Sequence, residues 1–152
     1  MWYRMFGAND AQPEPARLLE HLQQVDPGVT GKFHGDDLGW FRAELFFEEE
    51  TAPLSLERYL AAEEGLRAEL NTWAAWLETA EDSPHHVPLM EQMIGATQVF
   101  TLECPVELAD DAAVAALCTA ACRFLAGATA GVYQVDGQGF FRADGTLLVK
   151  EN

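Results

Sequence analysis

The sequence predicts an α+β fold, in which two βαββ units joined by a long amphipathic helix form a mostly antiparallel sheet with helices layered on one side. Apolar residues alternate in some segments, as in strands, and recur at intervals of three and four residues in others, as in helices. Turns rich in glycine, proline and aspartate separate these segments. The segment 31–44 also recurs as 131–144 with six identical residues, which indicates an internal repeat.

The first unit is predicted to begin with the strand "WYRMF" at 2–6, which a segment containing two prolines follows. Leucines at helical spacing predict a helix over about 15–25, and Asp-Pro-Gly ends it. A strand over 29–34, the turn "GDDLG" and a strand over 40–49 complete the unit as a hairpin. Aspartate and glycine are residues that such turns favour.

The joining helix is predicted over about 56–79, with Ser55 as its cap. An apolar stripe at helical spacing supports this prediction, made of Leu56, Tyr59, Leu66, Leu70, Trp73 and Leu77. The segment 80–96 contains two prolines, so we expect it to be a connector with one helical turn near 89–93.

The second unit repeats the order of the first, as a strand, a helix and two further strands over 97–104, about 110–126, 131–135 and 139–149. We expect all 152 residues to form a single domain, which is an ordinary size for a chain with one core. Its expected parts are a first half, a link and a second half, over 1–50, 51–96 and 97–152. An approximate two-fold axis is expected to relate the halves.

The motif of two aromatic residues followed by arginine occurs three times, at 2–4, 40–42 and 140–142. Alternation along a strand is expected to place Arg42 on the face of its strand that carries Trp40. Arg142 is expected to share a face with Phe140 in the same way. The motif therefore raises the question of what the arginines contact.

Glu63 falls within the apolar stripe of the predicted helix, and Arg67 follows one turn later. In one interpretation Glu63 pairs with Arg67 and a strand arginine, and the network fixes register. In the other, Arg42, Arg142 and Arg67 converge on an anionic ligand between the two halves, with Glu63 as orienter or base. The structural interpretation is favoured, because arginine stems often cover apolar surfaces near acids.

The chain carries 25 acidic residues against nine basic ones, a net charge of −16. This charge repels phosphate backbones and anionic lipids, so neither nucleic acid nor a membrane is an expected partner. The first hypothesis is a non-catalytic protein-binding or regulatory module that engages a basic partner, in the manner of a small bacterial inhibitor or immunity-type protein. The alternative is a small anionic-ligand-binding protein or enzyme with an arginine-lined pocket, although the sequence contains no familiar catalytic motif.

The cysteines are odd in number, Cys104, Cys118 and Cys122, and the N-terminus shows no secretory signal. We therefore expect reduced thiols in a cytoplasmic protein. No pair of cysteines or histidines has the spacing of a structural zinc motif, so no metal is expected, and no cofactor either. His85 and His86 lie between prolines and are expected to be exposed loop residues.

Trp76 lies off the apolar stripe of the predicted helix. Since tryptophan is enriched at interface hot spots, it is a candidate contact residue of a homodimer. The alternative is that Trp76 packs against the connector at 80–96, and the sequence leaves both possibilities open.

Overall fold

The computed structural model describes residues 1–151 and confirms an α+β fold built on an antiparallel sheet. The strands are β1 (Trp2–Gly7), β2 (Thr30–Asp36), β3 (Gly39–Phe46), β4 (Leu54–Leu60), β5 (Gln98–Glu103), β6 (Val132–Val135), β7 (Gly139–Arg142) and β8 (Leu147–Lys150). The helices are α1 (Pro15–Gln23), α2 (Leu66–Glu78), α3 (His86–Gly95) and α4 (Ala112–Ala128), with a 3-10 turn at Val106–Leu108. No helix within residues 1–151 is long and apolar enough to cross a bilayer.

The strands form a single open sheet in the order β2-β3-β4-β5-β1-β6-β7-β8, and every neighbouring pair is antiparallel. The first strand of the chain therefore lies near the middle of the sheet. Tyr3, for example, is paired with Leu102 on one side and with Val135 on the other. The strands β2 and β8 form the two edges.

Helices cover both faces of the sheet. Adjacent residues of a strand point to opposite faces, and in β1 Met5 packs with the core beneath α1 and α4, whereas Phe6 packs with the core beneath α2 and α3. In β5, likewise, Phe100 packs in the core beneath α1 and α4, and its neighbour Val99 packs in the core beneath α2 and α3. The expectation of helices on one side only was therefore wrong, because the central strands carry apolar residues on both of their faces.

The predicted joining helix begins ten residues later than expected. Residues 54–60 form the strand β4, in which Leu54, Leu56 and Arg58 are buried on one face. This segment alternates with a period of two, and it completes the backbone hydrogen bonding between β3 and β5. Gly65, with a φ of +87°, precedes α2. The segment 80–96, which was expected to be a connector with one helical turn, contains the ten-residue helix α3. His86 therefore begins a helix rather than lying in a loop.

The structure does not show the predicted two-fold repeat. The element order strand, helix and three strands does occur twice, as β1-α1-β2-β3-β4 and β5-α4-β6-β7-β8. A two-fold axis through the centre of the sheet would exchange its first and eighth positions. The matched strands β2 and β6 occupy the first and sixth positions instead, because the two three-stranded meanders attach to the central strands in opposite order.

Candidate functional site

A cleft lies at the rim of the sheet, where the turn between β2 and β3 meets the end of β4. It has a volume of about 320 Å³ and is lined by side chains from the segments 36–42 and 57–63. The turn between β2 and β3 forms one wall of the cleft. Its shape is held by a hydrogen bond from the Leu38 amide to Oδ1 of Asp36, at 2.8 Å, and by Gly39, which adopts a φ of +109°. The loop that follows β4 forms the other wall.

Arg58 forms the floor of the cleft. It follows Leu54 and Leu56 on the inward face of β4 and is only 6% exposed. Its Nε donates to Oε1 of Gln98 at 2.8 Å. Its Nη1 donates to the carbonyl oxygens of Trp40, at 3.2 Å, and Leu38, at 3.4 Å. The guanidinium is therefore held by three neutral acceptors, which bind two of its nitrogens.

Gln98 fixes the orientation of Arg58 from behind. This side chain is fully buried, and its Nε2 donates to the carbonyl oxygens of Asn9 at 2.7 Å and Ala11 at 2.8 Å. With both amide hydrogens committed to the segment after β1, Oε1 points to the guanidinium. The arginine is thus supported by an ordered second layer, which is typical of a preorganised binding group.

The Nη2 atom of Arg58 has no acceptor among residues 1–151. Among the same residues, every side-chain nitrogen or oxygen that is fully shielded from solvent has a hydrogen-bond partner. Because Nη2 has no partner, it is not fully shielded, and solvent reaches it at the cleft. The side chains that form ion pairs in the described chain do not include Arg58. Burial lowers the pKa of Arg58, and the carboxylates of Asp10, Glu63 and Asp36 partly oppose this effect.

A β-bulge in β3 shapes the wall nearest to Arg58. His34 is paired with Arg42, but the next residue, Gly35, is paired with Trp40, so Phe41 is an extra residue. The bulge brings Trp40 to the core face that Ala43 and Leu45 also occupy, and it leaves Phe41 48% exposed. The expectation that Trp40 and Arg42 share a face was wrong for this reason. Trp40 is anchored there by a 2.8 Å hydrogen bond from its Nε1 to the Pro13 carbonyl.

Three carboxylates line the cleft: Asp36, Glu57 and Glu63. Each has one oxygen engaged within the protein, by the Leu38 amide, the Tyr59 hydroxyl and the Leu60 amide respectively. None of them belongs to an ion pair in the described chain. Burial and the hydrogen bond to Glu57 raise the pKa of Tyr59 to about 12. The site therefore combines a cationic floor with an anionic rim.

The structure brings only two of the four sequence-predicted ligand residues together. Arg42 and Glu63 both line the cleft. Arg142 lies in β7, at the seventh position of the sheet against the second for β3, and five strand spacings are about 24 Å. Arg67 lies on α2, where Nη1 donates to the Ile94 carbonyl at 2.6 Å and ties α2 to the end of α3. The predicted convergence of three arginines was therefore wrong.

Trp76 is half-buried against the second core of the protein. Its ring stacks on Phe140 with centroids 5.8 Å apart and meets Trp73 edge-on at 6.2 Å. The remaining surface of Trp76 lines a groove beside β8. Its predicted role at an interface stays a prediction.

A second surface of note is an acidic end of the molecule, formed by the segments 24–29, 47–53 and 103–111. These segments contain eight carboxylates and neither lysine nor arginine: Asp26, Glu48, Glu49, Glu50, Glu103, Glu107, Asp110 and Asp111. A groove lined by Asp26, Glu48 and the first turns of α4 shows that the segments adjoin one another. Asp111 caps α4, accepting from the amides of Ala113 and Val114.

Arg58 is the functional candidate that sequence reasoning missed. Residue 58 was assigned to a helix, and its burial depends on strand pairing that the local pattern does not contain. The available signal was the alternation "LSLERYL", in which an arginine follows two inward leucines. No protein-family model, curated protein or solved structure matches the chain.

Proposed function

We propose that the protein binds a small ligand through a carboxylate group, which Arg58 holds at the floor of the cleft. The observation that carries this proposal is the Nη2 atom, an uncommitted donor on a nearly buried guanidinium. Solvent reaches Nη2 through the cleft, and an anionic acceptor can replace that water at a guanidinium whose other donors are already bound by the protein. Charge-assisted hydrogen bonds of this type are short and about twice as strong as neutral ones.

The surroundings of Arg58 support binding of a compact group. The Nε and Nη1 donors are already used by the protein, so a ligand has access to the hydrogens of Nη2 alone. The volume of about 320 Å³ lies at the small end of the range for ligand sites, roughly 300–1,000 Å³. The ligand is therefore a single small molecule, and its body contacts the apolar side chains of Leu38, Phe41 and Leu60.

Isothermal titration calorimetry with a matched pair of probes tests the proposal. We expect 3-phenylpropionate to bind at least about tenfold more tightly than the neutral 3-phenylpropanamide, because only the carboxylate forms a charge-assisted hydrogen bond with the guanidinium. Arg58→Met should abolish the difference between the probes. Arg58→Lys, which keeps the charge but not the planar fork, should reduce it, and Arg142→Lys is the matched control that should leave it intact. Equal affinities for acid and amide in the wild-type protein would overturn the proposal, whether or not Arg58→Met folds.

A second candidate function rests on the acidic end. Eight carboxylates in segments without lysine or arginine suit electrostatic association with a basic protein, in the manner of an inhibitor or immunity-type module. Such association is fast and weakens as salt screens the charges.

Pull-down from the native cell lysate at low and high salt tests this second candidate. A basic partner should be retained by the wild-type protein at low salt and lost at high salt. It should also be lost when Glu48, Glu49 and Glu50 are replaced by glutamine. The same number of substitutions at Glu78, Glu81 and Glu91, which lie on the α2–α3 layer, should have no effect. Equal loss in both variants would indicate a non-specific response to net charge and contradict the assignment to the acidic end.

A further inference from the structure

The rim of the Arg58 cleft carries more negative charge than its floor carries positive charge. The carboxylates of Asp36, Glu57 and Glu63 line the cleft together with two guanidinium groups, those of Arg58 and the exposed Arg42. Because each carboxylate has committed one oxygen to a neighbouring amide or hydroxyl, each keeps a second oxygen that can accept from a ligand.

This charge arrangement discriminates among anions. A ligand that carries only negative charge meets the guanidinium of Arg58 but is repelled by the rim. A ligand that also carries an ammonium group can bind both the guanidinium and the rim, because the ammonium donates to the free carboxylate oxygens. Of the three rim carboxylates, Glu63 and Asp36 act on Arg58 electrostatically, together with Asp10, which does not line the cleft.

We infer, resting on the proposed carboxylate-binding function, that the ligand is a small zwitterion of amino-acid size. Its carboxylate accepts from Nη2 of Arg58, and its ammonium donates to the free oxygens of Asp36 and Glu63. The apolar walls that Phe41, Tyr59 and Leu60 provide accommodate an apolar or aromatic side chain. The aromatic rings of Phe41 and Tyr59 are also compatible with a nearby cation.

Three probes that share one phenyl group separate this inference from the proposed function. L-phenylalanine has both charges, 3-phenylpropionate lacks the ammonium, and phenethylamine lacks the carboxylate. Calorimetry at low ionic strength should give L-phenylalanine an affinity at least about tenfold above that of 3-phenylpropionate and above that of phenethylamine. If 3-phenylpropionate binds as tightly as L-phenylalanine, the zwitterion is excluded and the carboxylate site remains. If phenethylamine binds as tightly as L-phenylalanine, both the zwitterion and the carboxylate site are overturned.

Two conservative variants locate the ammonium site. Glu63→Gln and Asp36→Asn each keep the acceptor oxygen that holds the local backbone, so the loop and the turn should persist. Each should reduce the preference for L-phenylalanine over 3-phenylpropionate several-fold while leaving 3-phenylpropionate bound at least as tightly as before. Glu64→Gln is the matched control, since Glu64 is an exposed neighbour that does not line the cleft. An unchanged preference in both cleft variants would overturn the inference.

Discussion

Arg4 and Asp136 join the first strand of the chain to the turn that follows β6: Nη1 of Arg4 donates to Oδ1 of Asp136 at 2.6 Å. The same nitrogen donates to Oε1 of Gln134 at 2.8 Å, and the guanidinium carbon lies 5.1 Å from the centre of the Trp73 ring. Arg4 is therefore paired, in contrast to Arg58. The first of the three aromatic-aromatic-arginine motifs supports the fold.

Replacing Asp136 by asparagine should destabilise the protein in a pH-dependent way. Burial acts to raise the pKa of Asp136, but hydrogen bonds from Arg4 and Gln134 outweigh it, so this pKa lies below its ordinary value. The carboxylate thus contributes stability that is fully present above the unfolded pKa of about 3.9 and is lost as the pH falls through the folded value. For a partly exposed pair we expect a loss of about 1 kcal/mol near neutral pH.

Urea denaturation near neutral pH and near pH 3 measures this effect. The gap between Asp136→Asn and the wild-type protein should narrow at the lower pH, where the wild-type carboxylate is being protonated. Asp37→Asn, at an exposed turn position, is the control and should change stability little at either pH. A gap that stays constant with pH would assign the effect to packing rather than charge.

Phe140 and Phe41, both from the repeated motif, should respond oppositely to truncation. Phe140 is fully buried and stacks against Phe6 at 6.0 Å and Trp76 at 5.8 Å, whereas Phe41 is 48% exposed. Phe140→Ala should cost about 3–5 kcal/mol, because it opens a cavity between α2 and the sheet. Phe41→Ala should cost less than about 0.5 kcal/mol. Chemical denaturation of both variants checks the difference, and similar losses would contradict the bulge in β3.

Gly131 should tolerate no side chain. A Cβ atom at this position would lie 1.9 Å from the backbone oxygen of Phe6, so Gly131→Ala must displace the central strand β1. We expect a loss of several kcal/mol, comparable to strong overpacking, or failure to fold. Gly95→Ala is the matched control, because nothing lies within 4 Å of its Cβ and alanine favours the helix end. Thermal melting should show the control at or above the wild-type midpoint, and a Gly131 variant of wild-type stability would argue against this pairing of β1.

The three thiols should be unreactive in the folded protein. Burial raises the pKa of Cys118 to about 12, aided by its neighbour Cys104, and burial also raises the pKa of Cys104 and Cys122. Since the thiolate is the reactive species, a disulfide reagent such as DTNB should modify the native protein very slowly at mildly alkaline pH. All three should react at once in denaturing urea. Rapid modification of Cys118 or Cys122 in the native state, located by mass spectrometry, would contradict the packing of α4 against β1.

The sequence was informative where local chemistry decides the structure. The turn at 35–39 needs aspartate and glycine, and α4 begins at an aspartate cap, so these elements lie close to their predicted places. The segment 54–60 carries apolar residues that fit both a helix and a strand, and its partners β3 and β5 decide the outcome. The bulge at Phe41 likewise depends on the register with β2, which no local pattern contains. The candidate site combines both non-local features. Arg42 and Glu63 were among the predicted ligand residues, but Arg58 at the floor of the cleft was missed for that reason.

Because β1 lies near the centre of the sheet, its pairing depends on strands that are synthesised much later. During synthesis the first strand leaves the ribosome early, yet the residues that pair with Tyr3 are Leu102 and Val135. The hairpin of β2 and β3 can form locally, whereas β1 has both edges unpaired until β5 has been made, and one edge unpaired until β6 follows. Long loops must then close around it, so we expect slow folding and a nascent chain that needs protection from aggregation.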